Sequence, residues 1–192
     1  GLSSMQIDNP ERGFSYKHDG PLDMRMNPER GAPASQWLGK CTLKKLTNAL
    51  TDGGDEPHAR DIARAILATL PIETTKGLRE MVSSAIPPHF DDEERSRTIA
   101  RVFQAIRIAV NEEFTALDSF LKQLPNCLKK GGRVAILSFH SGEDRRVKHH
   151  FRDNFRSGIY SKIANEIVRP TYEEIGGNPR AASAKMRWGI RA

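Results

Sequence analysis

Cysteine is scarce in this chain: Cys41 and Cys127 are the only two in 192 residues, and no C-x-x-C occurs. That argues against a disulfide framework and for a reducing setting. No apolar run approaches the ~20 residues that a membrane helix needs, so no membrane partner is expected. There is no G-x-S-x-G, which removes the strand-to-helix elbow of a serine hydrolase. No second histidine stands at a metal-ligand spacing from His140, and His149-His150 are adjacent rather than four apart, so no metal is expected. The glycine pairs at 53–54, 131–132 and 176–177 fit helix ends or turns. None reads as the glycine-rich turn that follows the first strand of a cofactor-binding sheet. Internal repeats and low-complexity tracts are missing too.

Charge is unevenly spread. Residues 1–128 hold 16 basic and 18 acidic side chains, whereas residues 129–192 hold 14 basic and 6 acidic. A basic C-terminal third suits a polyanion such as RNA. A solvated basic surface is the plain alternative.

Residues 1–33 read as loop, rich in Gly, Pro, Asp and Arg. Thr42 can cap a helix with Leu43, Leu46 and Leu50 inward, ended by Gly53-Gly54. His58–Leu70 repeats the pattern. Thr75 can cap a third helix that Pro87-Pro88 stops, and Asp91–Glu94 reads as a solvated turn. The longest helix is predicted from about Thr98 to Leu124. There Phe103, Ile106, Val110, Phe114, Leu117, Leu121 and Leu124 form one stripe over roughly seven turns, long enough to bridge two domains. Cys127, at the end of that stripe, is expected in the core. Arg133–Phe139 reads as a strand buried on both faces, because Val134 to Leu137 are unbroken apolar. Glu143–Asn154 reads as a basic helix. Ala184, Met186, Trp188 and Ile190 alternate with Lys185, Arg187 and Arg191, the pattern of a half-exposed strand. Residues 155–181 carry the weakest pattern.

Three segments stand out chemically. Residues 14–26, Phe-Ser-Tyr-Lys-His-Asp-Gly-Pro-Leu-Asp-Met-Arg-Met, have neither helical nor strand period. Exposed methionine gains nothing, so a loop with this content is expected to close over something. Ser138-Phe139-His140-Ser141-Gly142-Glu143-Asp144-Arg145 directly follows a strand, where open α/β sheets place their sites. Gln104, Arg107 and Asn111 share one helix face, either as a solvated stripe or as the lining of a cleft.

Together these segments resemble the bacterial-type 16S rRNA (cytosine-N4)-methyltransferases, a family with organellar relatives. Gly1–Gln6 match the family's Gly-x-Ser-Ser segment, Asn9–Ser15 and Asp19–Met26 its next motif, and Phe103–Glu113 another. The segment 138–145 matches except at Gly142, where the family has leucine; glycine there is expected to loosen the turn into the following helix. Asn178–Arg187 match the family's C-terminal Asn-Pro-Arg-x-Arg-Ser-x-Lys-Leu-Arg, with Ala182 in place of an arginine. The resemblance implies an α/β fold: a partial Rossmann-like S-adenosylmethionine-dependent methyltransferase domain, residues 1–29 and 101–192, interrupted by a helical insertion at 30–100. It implies that Gly1 and Gln6 serve the cofactor S-adenosyl-L-methionine. The family's preceding aspartate and main cofactor-binding half would lie upstream, so the chain is expected to be a truncated piece and a poor enzyme alone. The implied partner is small-subunit rRNA or the assembling small subunit, with a homodimer as an option. The implied location is cytoplasmic or, for an organellar relative, matrix or stroma.

The implied reaction is methyl transfer to N4 of a cytosine in the decoding region. That amine is a poor nucleophile, because its lone pair is delocalised into the ring. The enzyme must align N4, methyl and sulfur, and accept hydrogen bonds from the amino protons. Ser3, Ser4 and Asp23 are the candidate acceptors, with His140 as a further catalytic candidate. The base must leave its stack, and Phe14 or Phe139 can support it. Asp19, Arg25, Arg107 and Asn111, with the basic Arg145, Arg146 and Lys148, are the remaining RNA-binding candidates. Two rivals come from other classes: a non-catalytic RNA-binding module using the basic third, and a metal-dependent hydrolase built on His140, Glu143 and Asp144.

Overall fold

The computed structural model describes residues 2–192. The chain divides into two units, one ending at Glu113 and one spanning Phe114–Ala192.

The first unit is helical: α1 (Ser4–Asp8), α2 (Ala34–Gly39), α3 (Leu43–Gly54), α4 (Ala59–Thr69), α5 (Thr75–Ala85) and α6 (Asp92–Val110). Local capping chemistry starts most of them. Thr42 accepts from the Lys45 N–H at the head of α3. Thr74, not Thr75, caps α5 by accepting from Gly77. Thr75 is buried instead, and its hydroxyl donates to the His18 carbonyl at 2.8 Å. Asp91 and Glu94 form a reciprocal capping box. The acidic run is therefore the first turn of α6 rather than a solvated turn, because carboxylates favour the positive end of a helix. Gly53 and Gly54 lie inside the end of α3, where the helix presses on α6. A Cβ on Gly54 would stand 2.7 Å from the Arg101 carbonyl oxygen. Leu46, Leu50, Ile62, Ile66, Leu78, Val82, Val102 and Ile106 are fully enclosed between these helices.

The long helix expected from Thr98 to Leu124 is interrupted. It ends at Val110, and α7 (Glu113–Gln123) starts afresh. Glu112 takes a left-handed conformation at φ +50°. The Asn111 side chain, meanwhile, is bonded to loop backbone far upstream. The apolar periodicity runs on through this break, which is why it suggested one rod.

The second unit carries β1 (Arg133–Ser138), α8 (Ser141–Arg156), β2 (Tyr160–Ile163), α9 (Tyr172–Gly177) and β3 (Lys185–Arg191). The strands form one antiparallel sheet in the order β1-β3-β2, with Arg133 opposite Ile190 and Ser138 opposite Lys185. α8 covers one face through Val147 and Phe151, which pack with Tyr160, Leu121 and Leu124. Gly189 makes room for this contact: a Cβ there would lie 2.8 Å from the Phe151 ring. The unbroken apolar run of β1 is not buried on both faces. Val134 and Ile136 join the α8 side, while Ala135 and Leu137 are exposed on the other. Cys127 is exposed as well, because the tight turn Leu124–Cys127 buries Leu124 and Pro125 and rotates the cysteine outward. The architecture is thus α/β, dominated by helix around a small sheet. Among the described residues no helix is long and apolar enough to cross a membrane.

Candidate functional site

The loop at 13–26 is held by its own backbone and by two side chains from elsewhere in the first unit. Gly13 has φ +66°, and a Cβ there would meet the Pro21 carbonyl oxygen at 2.2 Å, so only glycine fits. The Arg12 guanidinium donates to the carbonyls of Arg25 and Met26 at 2.8 and 2.9 Å. Asn111 works from the other side. Its Nδ2 donates to the Met24 carbonyl at 2.7 Å, and its Oδ1 accepts from the Met26 N–H at 2.6 Å. Met24, at φ +60°, is fully buried, and Leu22 and Phe14 join the same core. The loop does close over something: the hydrophobic centre of its own unit.

Within this frame Asp23 and Arg25 form a bidentate pair at 2.8 and 2.7 Å, each side chain about one-fifth exposed. The Arg25 hydrogen bonds hold the Asp23 carboxyl below its ordinary range, outweighing the opposite effect of burial. Asp23 is therefore a fixed, ionised acceptor at the loop surface. Asp19 accepts from its neighbour Gly20 and from the Lys76 N–H in the first turn of α5. Arg107 makes a bidentate pair with Glu113 at 2.7 and 3.1 Å. Gln104 donates to the Gly53 carbonyl. The Gln104, Arg107 and Asn111 face is thus engaged in contacts inside the unit. Phe14 is 8 % exposed with Arg12 beside its ring, so its face is not open to a base.

The N-terminal segment is ordered rather than an ordinary loop. Ser3 caps α1 by accepting from Gln6, whose own Oε1 accepts from the Ser3 N–H at 3.0 Å. Ser4 lies exposed in the first turn. Gly1 falls outside the described residues.

In the second unit the segment after β1 forms its own cluster. Ser138 is buried and donates to the Lys185 carbonyl. Phe139 is 49 % exposed. His140 caps α8, with Nδ1 accepting from the Glu143 N–H. Its buried Nε2 makes no hydrogen bond, although Glu143 Oε1 is 3.4 Å away. Asp144 turns away from both and forms a buried bidentate pair with Arg187 of β3 at 2.7 and 3.1 Å. Burial alone would raise the Asp144 pKa; the Arg187 hydrogen bonds and charge, with Lys185 and Lys148, bring it below the usual value. This commitment takes Asp144 out of any metal site with His140 and Glu143. No group of three His, Cys, Asp or Glu among the described residues could hold a metal. Arg146 lies 3.6 Å over the Phe114 ring and reaches Asp118, whereas Arg145 and Lys148 are exposed on α8.

Sequence reasoning missed Arg12, Phe114 and Arg187. Arg187 sits on the polar side of an alternating strand and was expected outward, yet it is 8 % exposed. The Asp144 four residues after His140 was the only hint of a buried counter-charge. It also missed His150, which burial holds below its ordinary pKa and whose Nε2 meets the enclosed Tyr160 hydroxyl at 3.0 Å.

A family model described as the MraW methylase family matches residues 1–191. Ribosomal RNA small subunit methyltransferase H 1 of Lachnoclostridium phytofermentans is 49 % identical over all of this chain and 54 % of its own length. The H 2 protein of Alkaliphilus metalliredigens is also 49 % identical, over the whole chain and 57 % of its length. The Trichodesmium erythraeum methyltransferase H is 43 % identical over 97 % of the chain and 65 % of its length. The chain thus spans little more than half the length of the first two of these relatives. With a match along nearly its full length and identity of this order, the chain belongs to the MraW methylase family.

Proposed function

We propose that this chain belongs to an S-adenosylmethionine-dependent enzyme. Its reaction is methylation of the exocyclic N4 of a cytosine in the decoding region of small-subunit rRNA. The observation that carries the reading is the family match from residue 1 to 191, joined to relatives named for small-subunit rRNA methylation. The fold proposed with it is a Rossmann-like methyltransferase domain, flanking a helical insertion at about 30–100.

S-adenosylmethionine, when bound, supplies the methyl group. Gly1 and Gln6 are the residues that would hold it, and the ordered Ser3–Gln6 turn fits a polar ligand in kind, since it offers hydroxyls and a carboxamide. Asp23 supplies a fixed negative acceptor for the amino protons of the base. Accepting from that amine returns lone-pair density to nitrogen, and an acceptor already locked by Arg25 needs no reorganisation. Ser3 and Ser4 are secondary acceptors. His140, with a buried and unbonded ring nitrogen, is the corresponding group on the strand-end cluster. Asp19 and Arg25 extend the substrate face of the loop, while Arg107 and Asn111 act from behind it as positioning residues.

Deleting the gene for this protein should abolish N4-methylcytidine in small-subunit rRNA, and a plasmid copy should restore it; digestion and mass spectrometry read both. Unchanged N4-methylcytidine after deletion would refute the reading.

RNA affinity should fall with salt. Lys148→Glu and Arg145→Glu should each reduce the log–log salt slope by about 0.7 if each residue meets one phosphate of a single strand. Arg146→Glu should instead disturb the Phe114 stack. A slope that stays the same in both exposed variants would remove α8 from the RNA interface.

A further inference from the structure

We propose that Thr75, at the head of α5, is a positioning residue for the methyl transfer: it clamps the chain just before Asp23 and so sets where that carboxylate stands. The inference rests on the methyltransferase reading. It gives α5, which lies inside the proposed insertion, a part in the chemistry rather than in RNA capture.

The clamp is built from hydrogen bonds within the first unit. Residues 73–75 run antiparallel to residues 20–22, with Pro21 opposite Thr74. The Leu22 N–H donates to the Glu73 carbonyl at 2.8 Å, and the Thr75 N–H donates to the Gly20 carbonyl at 3.0 Å. Thr75 is fully buried, and a hydroxyl has one proton to give. Thr75 gives it to the His18 carbonyl at 2.8 Å, so one residue holds the loop at both His18 and Gly20. The next residue adds a third tie, since the Lys76 N–H donates to the Asp19 carboxylate at 3.3 Å. The opposite side of the loop has no slack. A side chain at Gly20 would run into the Pro10 carbonyl, so the loop backbone is pressed between Pro10 and Thr75.

The clamp leads directly to Asp23. The Asp23 N–H donates to the Pro21 carbonyl at 2.9 Å, and the Asp23 carbonyl accepts from the Ala34 N–H at 2.7 Å. A displacement of residues 18–22 therefore reaches the Asp23 backbone, and with it the carboxylate that Arg25 holds. Arg12 and Asn111 secure the far side, at residues 24–26. Thr75 secures the near side. An acceptor aimed at a developing charge acts through its placement, so a buried group that fixes that placement bears on kcat. A residue that gripped RNA would bear on KM instead.

The test uses the full-length protein, tritiated S-adenosylmethionine and small ribosomal subunits from the deletion strain. Thr75→Val keeps the size and branching of the side chain but loses the proton, and Thr75→Ser keeps the proton. Circular dichroism melts fix an assay temperature at which both variants are folded. In Thr75→Val kcat should fall about tenfold, with KM for the subunits within about twofold of wild type, and Thr75→Ser should restore most of kcat. A wild-type kcat in Thr75→Val would overturn the proposal. So would a rise in KM alone, which would assign α5 to RNA binding, or a loss that serine does not restore. Amide exchange at Leu22 should rise by about three- to tenfold in Thr75→Val, the share of one hydrogen bond. Exchange at the wild-type rate would likewise overturn it. Exchange does not require turnover. Wild-type protein that transfers no methyl group would defeat the methyltransferase reading, and faster exchange in Thr75→Val would then leave the clamp on Asp23 standing.

Discussion

Replacing Arg187 with methionine should destabilise the second unit by about 3–5 kcal/mol, because it strands the Asp144 carboxylate in a buried setting without its partner. Urea unfolding can report it. Trp37 lies in the first unit and Trp188 in the second, so a Trp37→Phe background confines the fluorescence signal to the unit of interest. The midpoint should fall by at least about 1 M. The double variant Asp144→Leu with Arg187→Met should recover most of the loss, because two apolar side chains no longer leave a charge unpaired. The pH dependence gives a second readout. Asp144 is held below its ordinary value of 3.8 in the fold. Its contribution is therefore fully present above that value and disappears as pH falls through the lower folded pKa. Arg187→Met should remove that acid-side loss. An unchanged midpoint in the single variant would show that the pair contributes nothing net.

Asn111→Asp should loosen the 13–26 loop more than any other single change of similar size. It exchanges a donor for an acceptor opposite two carbonyls, Met24 at 2.7 Å and Arg107 at 2.8 Å. Two lost bonds at about 1–3 kcal/mol each, with oxygen facing oxygen, place the cost at several kcal/mol. The Met26 N–H keeps an acceptor in this variant but not in Asn111→Ala. Amide exchange at Met26 should therefore rise more in the alanine variant than in the aspartate one, while both lose the tie to Met24. If the loop positions the target base, methyl transfer should drop by about 10²-fold, the scale set by displacing a reacting group by an ångström. Wild-type exchange rates through residues 22–26 in both variants would show that Arg12 alone suffices to hold the loop.

These two residues also mark where sequence reading stopped. The start of α3 was legible because capping is local: Thr42 lies three residues from the N–H that it accepts. The start of α6 was not, since the Asp91–Glu94 capping box read as a solvated turn. The methionine content of residues 14–26 correctly announced burial, since Met24 is inaccessible to solvent. The Asp23–Arg25 pair was likewise local, two positions apart. The interruption of the long helix was not legible. The break coincides with the left-handed Glu112 and with bonds from Asn111 to backbone 85 and 87 positions upstream, and the apolar stripe carries no trace of either. The inward turn of Arg187 depends on a carboxylate 43 positions away. Alternation in β3 gave the period of the strand but not which of its two sides faced α8.

Gly142 was expected to loosen the head of α8, and the fold gives it a different part. The Phe114 ring occupies the space a side chain would need: a Cβ at Gly142 would stand 2.6 Å from its tip. The same ring is covered by the Arg146 guanidinium, and His140 approaches it at 5.9 Å. Positions 142 and 114 are therefore not independent in heredity. A leucine at 142, as in the family pattern, is compatible only with a smaller or relocated residue at 114. An isolated leucine at 142 would run into the Phe114 ring, and a smaller residue at 114 removes that conflict. Lineages carrying glycine here should keep the aromatic with it, and drift at the pair should proceed by compensated double steps.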